Sequence, residues 1–321
     1  MDLAAFERNR LALFRRYGFK GESAWFVDRR NRRSYLIRRG RSAHPTVLVH
    51  GGLSEASEWS LLAGHLRGDV VIPDRPGCGL SYAIDYRNVV DYQDAAAEWL
   101  LDLADGIGAT EIDLAGNSMG GYFAMAFAAA HPKRVRRLIL VGAPAGLDRK
   151  LPLFIRLLGN PISGPLMSAM KIKDPETLRR QVFAGLLVAH AESLPLEFLE
   201  ISLAAESIPG TDRSARSMLR AVTSLRGWRK QLLMRDTMAR LPVPTLFLWG
   251  ERDAFAPPAI GEELAARMPF ARLVTLPDTG HLPHLERPEA VARHLSGGDG
   301  VDQICRGKEM VPRGGIEPPT L

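Results

Sequence analysis

Residues 115–132 read AGNSMGGYFAMAFAAAHP, and EIDL precedes them at 111–114. A short apolar strand therefore runs into a serine set among glycines, and an Ala-rich helical run follows at once. Gly116-Asn117-Ser118-Met119-Gly120 fits G-x-S-x-G, a pattern that carries meaning only between a strand and a helix. In that setting the tight turn lifts the Ser118 hydroxyl clear of the backbone. The glycines relieve crowding where the chain turns and the helix packs back on neighbouring strands. An ordinary serine gains nothing from so constrained a place, which makes Ser118 a candidate nucleophile.

Around this turn, apolar runs alternate with helix-length spacers. AWFVD (24–28) and RSYLIRR (33–39) read as an antiparallel edge hairpin. PTVLVHGG (45–52), DVVIPD (69–74), EIDLAGN (111–117), RLILVGA (137–143), PTLFLWG (244–250) and ARLVTLPD (271–278) read as strands of a parallel sheet. Several are continuously apolar, as strands covered by helices on both faces must be. The expected fold is α/β, a doubly wound and mostly parallel eight-stranded sheet. One spacer is too long for a crossover. Residues 147–242 are rich in Leu, Met and Ala at helical spacing with Pro and Gly breaks, which predicts an inserted helical cap. The core then comprises 1–146 and 243–296. From 297 to 321 the periodicity is lost and Gly and Pro accumulate, which predicts a disordered tail.

A serine hydroxyl is a weak nucleophile until a base removes its proton, and the base needs an orienting acid. Asp253 in GERDAF and His281 in TGHLPH each follow a predicted parallel strand, at the edge where open α/β sheets place their chemistry. Ser118, Asp253 and His281 form the candidate triad. His284 and Glu286 compete locally but lead into a helix start, so they read as packing and capping groups. A tetrahedral intermediate carries a full charge on oxygen, and backbone N–H groups must receive it. Met119, the residue after the nucleophile, supplies one. Gly52, in VLVHGGLSEASEW (47–59), supplies the other, with Leu53 the neighbouring alternative and a candidate substrate contact. His50 reads as a loop-shaping residue.

Composition narrows the rest. With 46% hydrophobic residues and no apolar run of membrane-spanning length, the chain reads as a globular protein without an integral membrane segment. The amino-terminal residues mix Arg and Glu and lack the apolar stretch of a secretory leader. Cys78 and Cys305 do not form a disulfide framework, so the cytoplasm is the expected compartment. Residues 1–43 hold twelve Arg/Lys against four Asp/Glu, mostly in DRRNRRSYLIRRGR, without the aromatic interleaving of a nucleic-acid surface. A solvated arginine face is expected there, and no nucleic-acid partner. No metal cluster or nucleotide fingerprint is present in the pattern of residues, so no cofactor and no metal are expected.

HGG at 50–52, DRPGCGLS at 74–81, GNSMGG at 116–121, WGERD at 249–253 and GHLPHLERP at 280–288 stand in one order along residues 45–295. In these motifs the chain resembles the α/β-hydrolase family. The resemblance implies an eight-stranded sheet, a Ser–Asp–His triad and a helical cap after the sixth strand. GNSMGG also resembles the elbow of hydrolases that cleave carbon–carbon bonds in meta-cleavage products, and in that subgroup the elbow asparagine, here Asn117, touches substrate. A cap arginine and an aromatic after the histidine usually contribute there. Here Leu282 follows His281, and only Arg179, Arg180 and Arg220 offer themselves in the cap.

The expected activity is thus a serine hydrolase of small-molecule carboxylic esters with small or medium apolar acyl groups. C–C bond hydrolysis of 2-hydroxy-6-oxo-dienoates is the alternative, and a catalytically silent ligand-binding relative is a third reading. Sequence leaves the oligomeric state open.

Overall fold

The computed structural model describes residues 2–170 and 172–296. The tail expected from residue 297, with Cys305, lies outside them. Eight strands form one sheet: β1 (Glu22–Val27), β2 (Arg33–Arg39), β3 (Thr46–Val49), β4 (Val70–Pro73), β5 (Ile112–Asn117), β6 (Val135–Val141), β7 (Thr245–Gly250) and β8 (Ala271–Leu276). Their order across the sheet is β1-β2-β4-β3-β5-β6-β7-β8. β1 and β2 are an antiparallel hairpin, β2 runs antiparallel to β4, and every pair from β4 onward is parallel.

Parallel strands require crossovers, and helical crossovers cover both faces. β5 and β7 are accordingly buried along their whole length. Helices α2 (Tyr92–Gly106) and α3 (Ser118–Ala130) pack on one face through Trp99, Leu103, Phe123 and Phe127. The other face is covered by α1 (Leu3–Arg16) and the carboxy-terminal helix Pro288–Leu295, through Phe14, Val291 and Leu295 against Ile72, Ile139 and Leu246. Asp2 caps α1 by accepting from the Ala4 and Ala5 N–H groups, and Asp91 caps α2 through the Asp94 N–H.

Between β6 and β7 the chain leaves the sheet as a helical cap. It comprises short helices Leu153–Leu158 and Ser163–Ala169, the turn Pro175–Leu178 running into a π-helical stretch Arg179–Leu187, and the longer helices Leu196–Glu206 and Thr211–Val222. A third apolar cluster joins Phe183, Phe198 and Ile201 of the cap to Phe6 and Leu13 of α1 and to Leu282 and Leu285. Helix α1, counted with the core on sequence grounds, therefore packs on core and cap together.

Half of the arginines of the arginine-rich hairpin are paired with carboxylates. Arg29 pairs with Asp102 at 2.7 Å and Arg30 with Glu98 at 3.2 Å, both carboxylates on α2, while Arg32 pairs with Asp28 at 2.7 Å. No helix among the described residues is long and apolar enough to cross a membrane.

The elbow depends on absent side chains. A Cβ on Gly116 would lie 2.4 Å from the Gly120 carbonyl oxygen, and one on Gly120 would lie 2.1 Å from the Val49 carbonyl oxygen. Both obstacles are backbone and cannot swing aside. We predict that Gly120→Ala lifts α3 from β3 and costs about 1–3 kcal/mol or more, read as a lowered melting temperature. An unchanged melting temperature would contradict this packing.

Candidate active site

The sheet delivers every sequence-predicted residue to one edge. Ser118 follows β5, Asp253 follows β7 and His281 follows β8. Ser118 has φ 48°, partly exposed at the first position of α3. Among the described residues only Asn31, Leu53, Ser118 and Asp278 are non-glycines at positive φ, and the last three flank this site. Left-handed backbone at such residues stores about 1–3 kcal/mol each and persists only where the surroundings enforce it.

His281 Nδ1 lies 3.0 and 2.9 Å from the two carboxylate oxygens of Asp253. An ionised carboxylate only accepts, so Nδ1 carries the proton and Nε2 keeps its lone pair. Asp253 is itself held by the Ala143 N–H at 2.8 Å and the Phe255 N–H at 2.9 Å. The Phe255 ring stacks on the imidazole at 4.0 Å between centroids. His281 Nε2 is buried and makes no hydrogen bond among the described residues. An imidazole hydrogen-bonded only at Nδ1, with Ser118 partly exposed at the same sheet edge, is a candidate proton acceptor.

Asn117 departs from expectation. It is fully buried, and its amide donates to the Val141 carbonyl at 2.7 Å and the His281 carbonyl at 3.1 Å. Its Nδ2 braces β6 and the histidine loop, while its Oδ1 is buried without a partner among the described residues. Gly51 makes room for it, since a Cβ there would fall 2.6 Å from Asn117 Oδ1.

Gly52 and Met119 are neighbours: a Cβ on Gly52 would meet the Met119 side chain at 3.1 Å and the Met218 methyl of the cap at 3.7 Å. At the start of a helix the Met119 N–H has no intrahelical acceptor and is open to an anion. Leu53, next in the loop, is exposed at φ 58°. The Gly51 N–H donates to Glu58 Oε1 at 3.0 Å, and Glu58 also meets His284 Nε2 at 3.2 Å. Burial opposes ionisation of Glu58, but its contact with His284 and the donated Gly51 N–H hold its carboxyl below the usual range. His284 packs against Trp59, the tilted rings 4.1 Å apart between centroids, and is fully buried. His50 accepts from the Arg75 N–H at Nε2, 2.9 Å, and its Nδ1 meets the Gly51 carbonyl at 2.9 Å. Burial pushes its pKa down to about 4, so it stays neutral and shapes the loop.

Sequence reasoning missed Arg10. This fully buried side chain of α1 reaches Glu55 at 2.7 Å and Asp74 at 2.9 Å, linking the loop after Gly52 to the loop after β4. Asp74 also accepts from the Ala56 and Leu80 N–H groups, each at 2.8 Å. Two carboxylates share one cation, and burial raises the Glu55 pKa to about 7. Nothing in a weakly amphipathic arginine-bearing helix announces this; only Asp74, at a strand end inside DRPG, was visible. On the cap side, the Leu187 carbonyl accepts from the His281 N–H at 2.8 Å and the Leu282 N–H at 3.1 Å. Glu286 accepts from the Ala189 and His190 N–H groups of the cap and from the Gly280 N–H.

Residues 46–294 match the model of the alpha/beta hydrolase family. The chain belongs to that family. This hydrolase is 30% identical, over 79% of its own length and 87% of the relative's, to the 2-hydroxy-6-oxononadienedioate/2-hydroxy-6-oxononatrienedioate hydrolase 2 of Pseudomonas putida. The solved 2-hydroxy-6-oxo-6-phenylhexa-2,4-dienoate hydrolase of Rhodococcus sp. has a TM-score of 0.72 at 23% identity, covering 87% of this hydrolase and 99% of that chain. The carboxylesterase CesB of Bacillus subtilis has a TM-score of 0.70 at 19% identity, covering 91% and 96%. Among the described residues of this hydrolase no group of three or more His, Cys, Asp or Glu is arranged to hold a metal ion.

Arg10→Ala leaves two buried carboxylates without their cation, and we expect a loss of about 3–5 kcal/mol on denaturant unfolding; a loss under 1 kcal/mol would show that the pair tolerates its absence. Glu55→Gln probes the same network by pH. The folded carboxyl holds its proton up to about 7 while the unfolded one releases it near 4.5, so this group's stabilisation is full below 4.5 and lost as pH rises through 7. The wild type should therefore lose stability relative to Glu55→Gln across that window. Parallel melting curves would refute the shift.

Proposed function

We propose that this hydrolase cleaves carboxylic esters with small or medium apolar acyl groups through a Ser118–His281–Asp253 triad. The observation that carries the reading is the Asp253-bound imidazole, its Nδ1 at 2.9 Å from the carboxylate, next to a serine forced to φ 48°. Ser118 Oγ attacks the ester carbonyl as His281 Nε2 takes its proton, and Asp253 stabilises the imidazolium. The Met119 and Gly52 N–H groups receive the charge on oxygen; each such donor is worth about 3–4 kcal/mol in the transition state. His281 then returns the proton to the departing alcohol, and water hydrolyses the acyl-enzyme by the same steps.

Three features favour an ester over a dienoate. Leu282 stands where an aromatic would be expected. Asn117 is occupied by backbone carbonyls. The cap arginines have other partners or face solvent: Arg179 meets Glu176 at 3.2 Å and the Glu192 carbonyl at 3.1 Å, Arg220 donates to the Pro161 carbonyl at 3.4 Å, and Arg180 is exposed. Met218, Phe255 and Leu53 offer apolar surface around the reacting centre, suited to an acyl chain by area burial of about 25 cal/mol per Å². The name of the Pseudomonas putida relative supports the second reading, C–C bond hydrolysis.

Ser118→Ala should abolish turnover with an unchanged far-UV circular dichroism spectrum. Survival of activity near the wild-type level would remove Ser118 from the mechanism. On p-nitrophenyl butyrate or hexanoate, kcat/KM should exceed that on a 2-hydroxy-6-oxo-dienoate. Efficient dienoate cleavage, with a large loss on replacing Arg179 or Arg220, would overturn the ester reading in favour of C–C hydrolysis.

A further inference from the structure

The beginning of the cap is built unlike the rest of the surface. Helix Leu153–Leu158 has no buried residue, and Ser163–Ala169 has only Gly164. Leu153, Phe154, Ile162, Leu166, Met170 and Leu225 are between 51% and 86% exposed. The segments that carry them adjoin: the two helices pack on each other, Arg156 donates to the Leu225 carbonyl at 3.1 Å, and the Trp228 N–H donates to the Arg149 carbonyl at 2.9 Å. Single exposed apolar residues need no explanation, but six on adjoining segments mark a contact surface.

Charge says what kind. Residues 148–170 carry Arg149, Lys150 and Arg156, and residues 220–230 carry Arg220, Arg226, Arg229 and Lys230, against the single acid Asp148. Arg156, Arg220 and Arg229 donate to backbone carbonyls, and among the described residues none of these cations pairs with a carboxylate. In the amino-terminal hairpin, by contrast, Arg29, Arg30 and Arg32 pair with Asp102, Glu98 and Asp28, while Arg33 lies over Trp25 and Arg38 and Arg39 donate to backbone carbonyls. An apolar face rimmed by unmatched cations is the composition that inserts at the boundary of a bilayer with acidic headgroups. We infer that this end of the cap docks on an anionic lipid surface, its leucines, Phe154 and Ile162 entering the acyl boundary while the arginines and lysines meet the headgroups. The inference stands on the cap surface and is independent of which bond the active site cleaves.

The test is sedimentation of the full-length protein with vesicles of phosphatidylglycerol and phosphatidylcholine, against vesicles of phosphatidylcholine alone. Binding should require the anionic lipid and weaken with salt. Each basic residue near such a surface strengthens binding about fivefold, so Lys150→Gln, Arg226→Gln and Lys230→Gln together should weaken it by roughly 100-fold. These positions are exposed, so circular dichroism and melting temperature should stay as in the wild type. Leu153→Ser, Phe154→Ser and Leu166→Ser together should abolish the binding that survives high salt. Equal binding to both vesicle types, no binding to either, or full binding by both variants would overturn the inference. A concentration-dependent dimer, lost in the serine variant and without vesicle binding, would assign the face to a second copy of this chain instead.

Discussion

A helix can begin directly over the end of a strand only where the two backbones can touch. At Gly116 and Gly120 they do, and the hydrogen atom in place of a methyl group decides whether α3 lies against β3 or stands away from it. The left-handed Ser118 and the opening of Met119 toward Gly52 follow from that approach, as does the brace from Asn117 to the histidine loop. The glycines thus act on the catalytic edge without touching a substrate. The strain at Ser118 is tolerable because β5 and β7 beneath it are buried throughout and cannot relax toward solvent.

The eight strands were legible because parallel strands covered on both faces must be continuously apolar, and such runs are short and bounded by turn residues. That Ser118, Asp253 and His281 each follow a parallel strand was legible because strand ends are bounded by turn residues, which a one-dimensional pattern preserves. The packing of Asn117 was not legible, for a physical reason. An amide in an elbow can face either the pocket or the interior, and the local sequence is the same in both cases. The turn toward the interior is set by the Val141 and His281 carbonyls, the second of which comes from 164 residues away in the chain. Arg10 was invisible for a related reason, since its value depends on two acids brought to it by separate loops.

The site is also layered by charge. Arg10 lies between Glu55 and Asp74, whereas Arg75, equally buried, makes no ion pair among the described residues and holds the His50 carbonyl at 3.0 Å and the Gly51 carbonyl at 2.5 Å. One guanidinium neutralises and the other organises. Together they fix the loop carrying Gly52 from both sides. Cys78 sits in the same layer as a buried free thiol, pushed up to about 11 by burial, which leaves it a small packing group with no nucleophilic character.

The stitching of Leu187, Ala189 and His190 onto the loop of His281 has a mechanical consequence. A cap that swung as one rigid plate would pull the histidine out of line each time it moved. The cap is instead held like a cantilever: its root at Leu187–His190 is tied to the loop of His281, while the other end, Leu153–Ala169, buries only Gly159 and Gly164.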